Sequence, residues 1–152
     1  MSIMFKIKKL LGLTHDTYLI RKSGSGEDAL ACVAMILHHY GQNVPFSKFK
    51  KEYSHFRDIN SIEKLTELCS LNGLQTQYFD GNYLDIKNVI FPCIIRWRMN
   101  RYAVLLKVDH ETYYIFDPDC ERYEYQQYEV ECHYCESALI VRSYETQNDL
   151  KS

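Results

Sequence analysis

The strongest hydrophobic pattern in the chain runs from Asp28 to Gly41. Ala29, Leu30, Cys32, Val33, Ile36, Leu37 and Tyr40 recur at helical spacing on one broad face. Gly41 stands where a left-handed backbone ends a helix. Upstream, Ser25 is the expected N-cap, and Asp28 three residues later closes a capping box. Residues 22–26 are therefore a Gly/Ser loop running into a buried helix. Pro45 starts a second helix that reaches Phe56, with Phe46, Phe49 and Tyr53 on one face. Asn60 with Glu63 predicts a third, which carries Ile62, Leu65, Leu68 and Cys69 and stops at Asn72 and Gly73.

Residues 17–21 and 74–79 read as short strands. The second half is β-rich over residues 91–98, 102–108, 112–116 and 138–142, divided by polar turns such as 109–111. Helices first and an antiparallel sheet afterwards is an α+β order. With no repeat, low-complexity segment or linker, residues 17–144 form one domain. Residues 1–16 are a basic and apolar arm, and 145–152 a polar tail. In the arm, Ile3, Phe5, Ile7, Leu10 and Leu11 alternate with Lys6, Lys8 and Lys9. Packing on the domain is expected there rather than docking to a membrane or transporter.

Composition narrows the function classes. The chain has 152 residues, enough for one domain with a core, and its 46% hydrophobic and 25% charged content is ordinary for a globular protein. A net charge of -2 leaves no electrostatic footprint for nucleic acid. No apolar run approaches the roughly 20 residues of a membrane span. No small-residue cleavage site follows the N-terminal lysines, so no signal peptide is expected. The 6 cysteines at irregular spacing fit free thiols in a reducing cytoplasm.

A loop feeding a helix N-terminus is a place for an anion or a reactive thiolate, which makes Asp28 and its surroundings the first candidates. Cys132 and Cys135 have metal-like or redox-like spacing. A structural zinc site needs four ligands, and only Cys120, His110 and His133 are plausible additions, so neither metal nor cofactor is expected. His38 and His39 on the central helix are expected to be satisfied or polar-face residues. His15, His55 and His110 fall in loops or at helix ends without a Cys partner.

The stretch Ala31-Cys-Val-Ala-Met-Ile-Leu-His-His-Tyr-Gly41 resembles the helix of the bacteriocin-processing cysteine peptidases, the double-glycine peptidases of family C-39. Ser61 to Leu65 with Leu71 to Leu74, Val89 to Trp97, Asn100 to Lys107, Tyr113 to Pro118 and Cys135 to Val141 are similar to later segments of that family, in the same order. The resemblance implies a papain-like fold, a helical half packed on an antiparallel β half, with a cleft between them. It places Asp28 at the nucleophile, Arg101 at the general base, Asp117 at the orienting acid and Lys22 at the oxyanion Gln. A carboxylate does not replace a thiolate in acyl transfer, and a guanidinium is not a base.

The resemblance therefore implies a peptidase-like domain without catalysis. Its function would be to bind a peptide or unfolded export substrate for an ABC exporter at the inner face of the membrane. Charge complementarity leads to the expectation that Arg101 sits between Asp28 and Asp117 and staples the two halves. The alternative is that Asp28 only caps the helix and Arg101 is a surface residue. Two other classes remain beside the binding module. One is an active cysteine peptidase that processes double-glycine leaders with a relocated nucleophile such as Cys32, although a buried thiol there is expected to be packing. The other is a structural or regulatory subunit of an exporter or processing complex.

Overall fold

The computed structural model describes residues 19–22, 24, 26–59 and 61–144. The expectations resting on the N-terminal arm, His15, Ser25, Asn60 and the C-terminal tail fall outside those residues. Helix α1 (Asp28–His39) is the centre of the fold, and every residue from Ala29 to His38 is buried. Its apolar pattern is broad because the helix is wrapped on all sides rather than laid on a surface. It starts three residues after the predicted cap. Its N-cap is Glu27, with no capping side chain, and Asp28 is its first residue. Its end is as predicted: Gly41 has φ 86°, and the bonds Gln42 N–H to Leu37 O (2.8 Å) and Gly41 N–H to His38 O (3.0 Å) form a Schellman pair.

Pro45 precedes α2 (Phe46–Glu52) at φ -64°, and Phe49 faces the core. This helix is shorter than its pattern predicted, because the chain tightens into a 3-10 turn at Ser54–Phe56. Helix α3 (Ile62–Leu71) is capped by Ser61, whose hydroxyl accepts from Lys64 N–H at 3.2 Å, and Leu65, Leu68 and Cys69 point inward. Gly73 at φ 72° turns the chain into the sheet.

The sheet contains β1 (Leu74–Asp80), β2 (Cys93–Trp97), β3 (Arg101–Asp109), β4 (Thr112–Phe116), β5 (Glu124–Gln126) and β6 (Ser137–Ser143). They lie in the order β1-β6-β2-β3-β4-β5, and every pair is antiparallel. The predicted strand at 17–21 is absent from its described part. Leu19 and Ile20 are both buried, whereas a strand would point them to opposite faces. Helix α4 (Gln127–His133), which the sequence reading did not predict, follows β5 and is opened by a reciprocal capping box between Gln126 and Glu129.

The pleat of β2 and β3 divides the apolar side chains between two cores. Ile94, Tyr102, Val104 and Leu106 join α1, α2 and α3 on one face. Ile95, Trp97, Ala103 and Leu105 join Tyr113, Tyr125 and Val130 on the other. The α+β order is thus a helical layer on a sheet, with α1 packed against β3. That contact brings the start of α1 beside the start of β3 and the end of β4.

Candidate functional site

Three chain segments meet at that point. The first precedes α1 and carries Lys22, whose N–H donates to Pro118 O at 3.0 Å. The second is the β2–β3 turn, with Arg98 and Arg101. The third is the loop after β4, with Asp117 and Asp119. Arg21 fastens the first segment to the third by bonding Glu121 at 3.1 Å and the Asp119 carbonyl at 3.4 Å. The turn is tight: Met99 and Asn100 both have left-handed backbone at φ 58° and 57°, a conformation that costs roughly 1–2 kcal/mol for a residue such as Met.

The charged side chains form a chain of ion pairs. Lys22 Nζ lies 3.0 Å from Asp28 Oδ1 and 3.3 Å from Asp119 Oδ1. Arg101 pairs with the other oxygen of Asp119. Arg98 lies 3.5 Å from Asp117, whose Oδ1 accepts the Asp119 N–H at 2.9 Å. Arg101 is therefore not between Asp28 and Asp117. The fork of Arg101 reaches Asp119, and Lys22 takes the bridging place. The staple between helix and sheet exists, but it runs Asp28–Lys22–Asp119–Arg101. Asp119 and Arg98 were missed by the sequence reading. The only signal for Asp119 was a second acid flanking Pro118.

Electrostatics and burial agree with this pairing. Burial alone would lower the Lys22 pKa, but the hydrogen bond and charge of Asp28, then the charge of Asp119, outweigh it and leave the pKa raised. For Asp119, burial would raise the carboxyl, and the Arg101 hydrogen bond with the Lys22 and Arg101 charges holds it below the ordinary range. Asp28 also sits in the first turn of α1, where the helix dipole favours an anion by about 0.3–1 kcal/mol. Three cations and three anions fill the place with near-neutral total charge.

The other candidates separate from this cluster. Cys32 is 0% exposed, and burial, followed by the charges of Asp28 and Asp117, pushes its thiol well up. A thiol held protonated in this way is a poor nucleophile. His38 is buried, and its Nε2 lies 2.8 Å from the Val44 carbonyl, while His55 packs on Phe56 at 4.4 Å between ring centroids. Cys132 and Cys135 are exposed. Among the described residues no group of three or more His, Cys, Asp and Glu could hold a metal. An apolar hollow of about 350 Å³, lined by Ile20, His38, Val44 and Phe46, lies toward the far end of α1. No helix of the described residues is long and apolar enough to cross a membrane.

Known proteins match the chain in sequence and in fold. The colicin V secretion/processing ATP-binding protein CvaB of Escherichia coli is 23% identical over 100 residues, 66% of this chain. The match spans only 14% of that relative's length. A double glycine motif protease from an AMS/PCAT transporter, solved with its leader peptide, superposes with a TM-score of 0.73 at 21% identity, covering 86% of this chain and 96% of the other. The N-terminal peptidase C39 like domain of a toxin secretion ATP-binding protein from Vibrio parahaemolyticus superposes with a TM-score of 0.65 at 11% identity, covering 80% and 99%. Both are papain-like domains, and the fold expected from the resemblance is the fold found. The Peptidase C39 family model matches residues 16–146, and the chain belongs to that family.

Proposed function

We propose that this domain binds a peptide or unfolded export substrate for an ABC exporter without cutting it. The observation that carries the reading is the Lys22 ammonium lying between Asp28 and Asp119, with Arg101 on the far side of Asp119. Nucleophilic acyl transfer needs a thiolate and an imidazole within hydrogen-bond reach. The positions that correspond by resemblance to nucleophile and base hold a carboxylate and a guanidinium instead. Neither has the proton chemistry of the group it stands for. The buried, protonated Cys32 argues against a relocated nucleophile. The relative from E. coli is named for secretion and processing, and one structural neighbour was solved with a leader peptide. Those properties motivate the substrate class proposed here.

The test is one incubation of the purified chain with double-glycine precursor peptides, followed by mass spectrometry for cleavage and calorimetry for binding. The expected result is saturable binding with no cleavage over hours. Cleavage that Cys32→Ala abolishes would overturn the reading. Absence of both would leave a structural role in an exporter complex.

A further inference from the structure

Strand β1 ends the sheet. It pairs with β6 on one side, and among the described residues no strand pairs with its other side. Exposed edges of this kind are templates for a further strand, and proteins blunt them with lysine, proline, bulges or shortness. The opposite edge is blunted: β5 has 3 residues and runs directly into α4. β1 has none of these devices. It is 7 residues long, its register with β6 is unbroken, and Leu74-Gln-Thr-Gln-Tyr-Phe-Asp80 contains no proline and no cation. Tyr78 is 53% exposed, Gln75 and Gln77 are exposed, and a polar depression of about 340 Å³ opens beside them, lined by Gln75, Thr76, Gln77, Ile140 and Arg142.

We infer that this edge pairs with β1 of a second copy of the chain, antiparallel about a two-fold axis through Gln77. The argument is self-complementarity. That register sets Leu74 opposite Asp80, Gln75 opposite Phe79 and Thr76 opposite Tyr78, and all seven residues find partners. Asp80 is the only ionised side chain of the strand, and it meets leucine, not its own copy. Opposed residues share a face. Phe79 of the second copy therefore falls beside Gln75 and the depression, and Tyr78 is covered by Thr76. The net charge of -2 opposes association only weakly. A two-fold contact closes on itself, so the product is a dimer with one sheet running through both copies and not a fibre.

The experiment is sedimentation of the full chain across a concentration series, with Gln77→Lys and Gln77→Glu as variants. The wild type dimerises. Each variant sets like charges opposite each other on the axis and weakens the dimer by about threefold to fivefold, more at low salt. Mixing the two variants restores it, because Lys then faces Glu. Both substitutions are at an exposed position, and unchanged thermal unfolding confirms that they fold. A wild type that stays monomeric at every concentration overturns the inference. So does a dimer indifferent to position 77, or a mixture that does not recover. A monomer that instead binds an extended peptide, weakened by Gln77→Lys, overturns it in favour of a peptide occupant.

Discussion

Replacing Lys22 with methionine keeps the aliphatic stem and removes the ammonium 3.0 Å from Asp28 and 3.3 Å from Asp119. At 3.0 Å and an effective dielectric constant of about 20, a unit-charge pair attracts by roughly 5–6 kcal/mol before desolvation is subtracted. Lys22 and Asp28 are 15% and 13% exposed, so much of that attraction is offset. Removing one partner of a fully buried pair costs about 3–5 kcal/mol, and of an exposed pair about 0–1. Asp119 is 39% exposed and retains Arg101, so it contributes at the exposed end. The expected loss is about 2 kcal/mol at neutral pH, a fall in Tm of roughly 4–8 °C for a chain of this size.

Urea and thermal unfolding followed by circular dichroism measure the loss, and pH gives it a signature. The lowered carboxyl of Asp119 contributes stability above about pH 4 that is lost as pH falls through the folded value. The raised Lys22 contributes stability that is full below roughly pH 10 and is lost as pH climbs through its folded value. The gap between wild type and Lys22→Met is therefore widest between about pH 5 and 10 and closes at both ends. Adding Asp28→Asn removes the stranded charge and recovers most of the loss. A Lys22→Met variant within about 0.5 kcal/mol of wild type, with no coupling to Asp28→Asn, would refute the staple.

Two further outcomes follow from burial and backbone geometry. Iodoacetamide labels Cys132 and Cys135 in the native protein, whereas Cys32, Cys69 and Cys93, all at 0% exposure, react only in urea, as peptide mapping by mass spectrometry reads; burial pushes the Cys69 thiol to about 12. Gly26→Ala destabilises by at least about 2 kcal/mol, because φ is 77° and the added Cβ would stand 1.9 Å from Asp58 Oδ1. Gly73→Ala, with φ 72° and open space around it, loses about 1 kcal/mol, and equal losses at the two positions would contradict the contact.

Periodicity was enough to find α1, α3 and the strands of the sheet centre, because each buries a continuous face. Helix α2 buries only Phe49, and Pro45 with the spacing of Phe46, Phe49 and Tyr53 marks it instead. No such signal marks α4. Helix α4 buries only Val130, and its capping box uses Gln126, a residue type outside the usual N-cap set. Leu19 and Ile20 lie in residues that read as a strand, yet both are buried, and among the described residues Arg21 and Lys22 tie the chain to the loop after β4 instead. At the site, resemblance brought Lys22, Asp28, Arg101 and Asp117 to one place, and the structure does gather them. The partners were not legible. Whether Arg101 reaches Asp117 or Asp119 depends on how the loop after β4 folds, with Asp117 turned back onto the Asp119 N–H. Asp117-Pro118 signals a turn, but not which of the two acids meets Arg101.

Asp28 occupies the open amino end of α1, where no side chain caps the first turn. The aligned peptide groups there attract negative charge of any kind, sulfur or oxygen alike. What the scaffold asks of this position is a sign, not a reactivity. On the proposed reading, a carboxylate at position 28 keeps an anion at the helix end where a thiolate would otherwise stand. Shedding bond-breaking capacity then costs this end of the helix no charge, although position 101 has to change with it.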